Sequence, residues 1–179
     1  MMISTENTGL IIVDIQGKLA ESMYEKDSLF RHTAMLIQGA KLLSLPIIWV
    51  EQIPEKLGAT HPEIAKHLTG KAYAKSSFSA LGSSEIEHAI ENADKTDWII
   101  AGIEAHICVY QTTRDLLAKN YRVHVATDAV SSRTKENKAL GIQAMQNAGA
   151  KLTGAEMALF ELQQKAEGDV FKQLIKLVK

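Results

Sequence analysis

The sequence predicts an α/β protein, a three-layer α/β/α sandwich around one doubly wound parallel sheet. Short, wholly apolar runs alternate along the chain with longer stretches of helical periodicity. Because those runs do not interleave polar residues, the sheet they form must be covered on both faces, which parallel strands joined by helices achieve. The chain has 179 residues, 46% hydrophobic and 23% charged, with no linker, repeat or low-complexity tract. One domain over residues 1–179 is therefore expected, with a core that needs no disulfide or metal.

The candidate strands are Leu10–Asp14, Ile47–Glu51, Ala72–Lys75, Asp97–Ala101, Arg122–Thr127 and Ala150–Thr153. Between the first two, Phe30, Ala34, Ile37, Ala40 and Leu45 fall near a 3.6-residue period, which predicts a helix over Leu29–Leu45 stopped by Pro46. Ser84-Glu85-Ile86-Glu87 has capping-box spacing for a helix start, and Gly149 stands where the helix Lys135–Ala148 wants a C-terminal cap. From Gly168 to Lys179 the pattern is again amphipathic, with Val170, Phe171, Leu174, Ile175 and Val178 on one side, and this helix docks either on the same domain or on a second subunit.

Composition excludes several function classes. Charges nearly cancel, at a formal −1, and no stretch concentrates Lys and Arg enough to track a phosphate backbone, so nucleic acid is not an expected partner. The longest apolar runs are far short of the roughly 20 residues that span a bilayer. Met1 to Thr8 lacks the charged-then-apolar order of a secretory signal, and a single Cys forbids an internal disulfide, which suits a reducing cytoplasm. No Gly-x-Gly-x-x-Gly or phosphate-loop stretch occurs, so no nucleotide or dinucleotide cofactor is expected.

Ligands of open parallel sheets bind beyond the carboxyl ends of the strands, so the residues ending each strand matter most. Asp14 ends a buried apolar run, where an unpaired carboxylate is costly; it either caps local structure or meets a charged partner. Lys75 ends the third run and is either solvated or that partner. Cys108, six residues beyond Gly102, lies where a strand gives way to a helix. A helix N-terminus favours a thiolate, so Cys108 is either a nucleophile with a depressed pKa or an inert small hydrophobe.

These segments resemble the isochorismatase-like cysteine hydrolases, in the branch of isochorismatase-domain-containing proteins. The resemblance rests on five ordered blocks: Leu10 to Gln16, Glu51-Gln52-Ile53-Pro54 with Leu57-Gly58, Lys75-Ser76-Ser77-Phe78-Ser79, Gly102 to Val109, and Asp128 to Arg133. It implies a six-stranded parallel sheet and a triad of Asp14, Lys75 and Cys108 acting on an amide or imide-like bond of a small molecule through a covalent acyl-enzyme. It also implies a cis peptide between Ile103 and Glu104, with the N–H groups of Glu104 and Cys108 as the oxyanion hole. Lys75 would have to lean inward across two strand spacings, about 10 Å, to reach Asp14.

Proximity to strand ends and to Cys108 nominates Gln16, Gln52, Phe78, Ile107 and Tyr110 as pocket residues. Glu104 and His106 flank the turn before Cys108, and Asp128 with Ser131, Ser132 and Arg133 reads as a structural loop or an intersubunit contact. The metal-binding Asp-x-His-x-x-His stretch of the related nicotinamidases is missing after the second strand, and His61, His67 and His106 are not spaced as ligands, so no catalytic metal is expected. Isochorismate hydrolases proper lack the nucleophilic Cys, which separates family name from reaction. The alternative is a retired enzyme whose fold serves as a homo-oligomeric interaction or regulatory module; a homo-oligomer is expected on either reading. A peroxide-sensing thiol ranks last, because no resolving Cys is present.

Overall fold

A computed structural model describes residues 2–179. Met1, the first residue of the segment read for a secretory signal, lies outside them. The elements run β1 (Thr8–Val13), α1 (Gly17–Glu21), α2 (Lys26–Leu42), β2 (Ile47–Gln52), α3 (Pro54–Leu57), α4 (Pro62–Ala65), β3 (Tyr73–Lys75) and a 3-10 turn (Ala80–Gly82). They continue α5 (Ser84–Asn92), β4 (Asp97–Ile103), α6 (Cys108–Ala118), β5 (Arg122–Ser131), α7 (Lys135–Asn147), β6 (Lys151–Thr153), α8 (Ala155–Gln163) and α9 (Gly168–Val178).

The six strands form one parallel sheet in the order β3-β2-β1-β4-β5-β6, a doubly wound arrangement. Alternation along each strand divides the core in two. Leu10, Ile12, Ile99 and Ala101 face α2, α8 and α9, whereas Ile11, Val13, Trp98 and Ile100 face α5, α6 and α7. Strands β1 and β4 are buried at every position, as their unbroken apolar runs require.

Differences from expectation lie at element ends. Helix α2 starts at Lys26, earlier than Leu29, and stops at Leu42, because Ser44 turns the chain with a left-handed φ of 57° before Pro46. Ser84 is the first helical residue of α5; Ser83 holds the cap position and makes no side-chain cap bond, so the capping box does not form. Gly149 does end α7, at φ 109°, with Ala150 N–H bonded to the Met145 carbonyl. Helix α9 docks on its own domain through buried Leu174, with Val170 and Leu177 against the same core.

Candidate active site

The switch point of the sheet falls between β1 and β4, where the chain leaves toward α2 on one face and toward α6 on the other. Val13 and Gly102 are paired in register there, so the residues that follow them open a crevice between the strand ends. Gly102 is required: its φ is 132°, and a Cβ would lie 2.1 Å from the Val13 carbonyl oxygen.

Asp14, 2% exposed, sits in the left-handed region at φ 51°, which Asp tolerates better than most residues. Its Oδ2 accepts from Lys75 Nζ at 2.7 Å, so Lys75 does cross from β3 over the end of β2. The same ammonium donates to Gln52 Oε1 at 2.5 Å and approaches the carbonyls of Ser77 at 3.1 Å and Phe78 at 3.0 Å. Three N–H bonds face four acceptors, so this ammonium is fully used. Asp14 Oδ1 is buried without a hydrogen-bond partner among the described residues. Burial raises the Asp14 pKa above its ordinary value, against the lowering pull of Lys75.

Cys108 is the first residue of α6 and is 8% exposed. Its thiol is close enough to Asp14 and Lys75 to interact with both. The depressed thiol pKa expected from the helix N-terminus does not survive: burial first, and the Asp14 carboxylate next, push the pKa up to about 12 against the opposing pull of Lys75. The resting group is a neutral thiol, and desolvation outweighs what a helix end and one cation supply.

The peptide Ile103–Glu104 is cis. Around this turn Ala105 N–H bonds the Ser131 carbonyl at 2.8 Å, while Ile107 and Val109 N–H both bond the Glu104 carbonyl. The N–H groups of Glu104 and Cys108 have no protein acceptor among the described residues. The Glu104 side chain turns to Arg133, accepting from its N–H at 3.0 Å and its Nε at 3.2 Å, and His106 Nδ1 meets Ser132 Oγ at 2.9 Å. Both therefore hold the turn against the end of β5. Asp128 is structural too, since its carboxylate accepts from Ala155 N–H at 2.9 Å and caps α8.

A cavity of about 130 Å³ opens on Cys108, lined by Asp14, Leu19, Gln52, Leu57, Phe78, Ile103, Glu104 and Ile107. Of the five nominated pocket residues, Gln52, Phe78 and Ile107 line it. Gln16 and Tyr110 do not. Gln16, fully buried, accepts from Gln52 N–H at 2.6 Å and donates to the carbonyls of Gln52 at 3.1 Å and Gly58 at 2.7 Å, clasping β2 to the loop after α3. Tyr110 packs against the core of the α5–α7 face with the Arg114 guanidinium over its ring. Leu19 and Leu57 are wall residues that the sequence reading missed. Leu57 belongs to the Leu57-Gly58 block and so carried a signal, whereas Leu19, on the five-residue α1, carried none.

The histidines are spread out. His61 stacks on Phe30 and bonds Glu21 Oε1 at 2.7 Å, and no group of three or more His, Cys, Asp or Glu able to hold a metal occurs among the described residues. Likewise, no described helix is long and apolar enough to cross a membrane.

A carboxylate, an ammonium and a thiol gathered at the switch point of a doubly wound sheet define an α/β protein with a candidate active site in the crevice. The chain belongs to the isochorismatase family: the isochorismatase-domain profile matches residues 8–157. It is similar to the secreted isochorismatase effector Isc1 of Phytophthora sojae, 34% identical over 175 residues that cover 95% of this chain and 83% of that protein. Its fold superposes on a structure described as the MAR1 ribonuclease of Caenorhabditis elegans with a TM-score of 0.92 and 34% identity, covering 99% and 92% of the two chains. The Escherichia coli YcaC product, described as an octameric hydrolase of unknown specificity, shares the fold at a TM-score of 0.92 and 22% identity, covering 99% and 90%. Family membership supports hydrolase chemistry in general.

Proposed function

We propose that the protein is a cysteine hydrolase that cleaves a C–N bond of a small amide or imide-like molecule, with Asp14, Lys75 and Cys108 as its triad and no metal in the chemistry. The observation that supports this reading most strongly is the buried 2.7 Å pair of Lys75 and Asp14, of which Asp14 lines the crevice cavity together with the only cysteine. Two buried charges are retained at some cost to stability, which fits a site where they are used.

Because the resting sulfur is a thiol, activation is coupled to attack. As the sulfur bonds the carbonyl carbon, its proton passes to Asp14 Oδ1, the carboxylate oxygen without a partner. The N–H groups of Glu104 and Cys108 receive the developing oxyanion. Asp14 then returns the proton to the leaving nitrogen, the C–N bond breaks, and water, deprotonated by Asp14, displaces the sulfur. Lys75 keeps Asp14 ionised between these transfers.

The ribonuclease description of the C. elegans relative raises a second reading. Against it stand the near-zero net charge and a cavity well under the roughly 300–1,000 Å³ of ordinary ligand pockets. A homo-oligomer and a cytoplasmic location complete the proposal; the lone reduced thiol suits that compartment, although the P. sojae relative is described as secreted.

The test is Cys108→Ala against a panel of small amides and against RNA, with a melting curve to establish folding. Loss of amide turnover by at least about 10⁴-fold is expected. Amide hydrolysis retained in the variant, or RNA cleavage that ignores the substitution, overturns the reading.

A further inference from the structure

The polar groups of the cavity are nearly all committed before a substrate arrives. Lys75, the cation nearest the thiol, is satisfied by Asp14, Gln52, Ser77 and Phe78 and has no N–H left. Glu104 is bound to Arg133. Gln52 gives Oε1 to Lys75 and one amide hydrogen to the Ser76 carbonyl at 3.0 Å. Its second amide hydrogen is the one side-chain donor of the wall, apart from the thiol, that remains unassigned among the described residues.

The rest of the wall is hydrocarbon: Leu19, Leu57, Phe78, Ile103 and Ile107. Phe78 is 56% exposed and Leu57 38% exposed, so both stand at the mouth. No unpaired cation of the wall meets an anionic substituent, and the two wall carboxylates, Asp14 and Glu104, repel one. A cationic substituent in turn would find Glu104 paired with Arg133 and Asp14 paired with Lys75 through Oδ2, leaving only the buried Asp14 Oδ1 to set against the hydration it loses to an apolar wall.

We infer that the site selects short, uncharged primary amides with a hydrocarbon chain, and rejects amides of equal size that carry a carboxylate or an ammonium. The inference rests on the hydrolase reading and deepens it. The carbonyl meets the Glu104 and Cys108 N–H groups, the leaving nitrogen faces Asp14, and the chain lies along Leu19, Leu57 and Phe78. Hydrolysis takes up one water and gives the carboxylic acid and ammonia: the thiol proton leaves on the nitrogen, and the proton that Asp14 takes from water passes to the departing sulfur and restores the thiol.

The experiment measures ammonia release from three amides of similar size, 4-methylpentanamide, succinamate and 4-aminobutanamide, with the full-length protein. The neutral amide is expected to exceed each charged one by about 100-fold or more in kcat/KM. Leu57→Lys, at a partly exposed mouth position where the longer stem can lie along the wall, is expected to raise succinamate turnover and lower that of 4-methylpentanamide. Equal or preferred hydrolysis of succinamate by the natural protein overturns the charge selection while leaving the hydrolase reading standing. Absence of turnover on all three, together with absence of any acyl adduct on Cys108, overturns both.

Discussion

Lys75 Nζ lies 2.7 Å from Asp14 Oδ2, although 61 residues and one intervening strand separate the two. Their side chains are 0% and 3% exposed. Removing one partner from such a pair strands the other charge in the core, which costs about 3–5 kcal/mol. Lys75→Met is therefore expected to lower the unfolding free energy by about that amount, measured by urea denaturation. Adding Asp14→Asn restores much of the loss, because no lone charge remains, yet leaves the protein inactive. Additive losses in the double variant would mean that the two side chains do not interact.

Reactivity and catalysis should move in opposite directions when Asp14 is neutralised. Asp14 raises the Cys108 pKa, and Lys75 lowers it. Replacing Asp14 by Asn removes the raising charge and leaves the lowering one, so iodoacetamide should label Cys108 faster at pH 8 in Asp14→Asn than in the natural protein. Hydrolysis should be lost in the same variant. In the natural protein the labelling rate should still climb above pH 9, since the thiol is held near 12. A plateau below pH 8 would contradict the buried, neutral thiol.

Asp14 must be ionised to accept that proton, and burial raises its pKa. The acid limb of kcat/KM should accordingly lie above the ordinary carboxylate value of 3.8, with activity rising as pH increases through it. Measurement across pH 4 to 8 checks the direction; a limb below the ordinary value would remove Asp14 as the base.

Acid stability should depend on a different cluster. At the start of β4, Asp97 accepts from Arg122 Nε at 2.8 Å and is joined to His124 Nε2 at 2.9 Å. Burial works to raise the Asp97 pKa, but these bonds overcome it and hold it below 3.8. A depressed folded pKa gives stability that is present above the unfolded value and is lost as pH falls through the folded one. Asp97→Asn should cost about 2–3 kcal/mol at pH 7, below the about 3–5 kcal/mol of a fully buried pair because Arg122 is partly exposed. The gap to the natural protein should close below pH 4, as thermal melts across that range would record.

Gly102→Ala should disrupt the switch point itself. The new Cβ meets Val13 backbone atoms at 2.1 to 2.8 Å, and the φ of 132° is strained for any side chain. A loss above about 2 kcal/mol in unfolding free energy is expected, with Asp14, the next residue after Val13, displaced. An unaltered melting temperature would speak against the pairing of Val13 with Gly102.

Much of the fold and site was legible because the features are local. An unbroken apolar run announces a strand buried on both faces, and the residue ending it is thereby placed at a crevice, which is how Asp14 stands out; Cys108 stands out because a helix begins soon after such a run ends. The role of Lys75 came through resemblance, since nothing near a three-residue strand says that its side chain reaches across a neighbour. Gln16 was nominated for the pocket from its position, yet its partners are backbone groups of Gln52 and Gly58, and such bonds leave no pattern in side-chain types. The direction of the Cys108 shift was illegible for a related reason. The helix N-terminus can be read from the chain, but the desolvation that outweighs it arises only when the fold buries the sulfur in the core on the α5–α7 side of the sheet, beside Asp14.

If Cys108 attacks a carbonyl while Asp14 takes its proton, the acylated sulfur must exist for part of every turnover. Rapid-quench intact-mass analysis with a reactive small amide tests this most directly. An acyl adduct mapped to Cys108 should form and decay at the turnover rate in the natural protein, and should fail to build up in Asp14→Asn. Steady hydrolysis with unmodified Cys108 throughout, or an adduct on another residue, would contradict it.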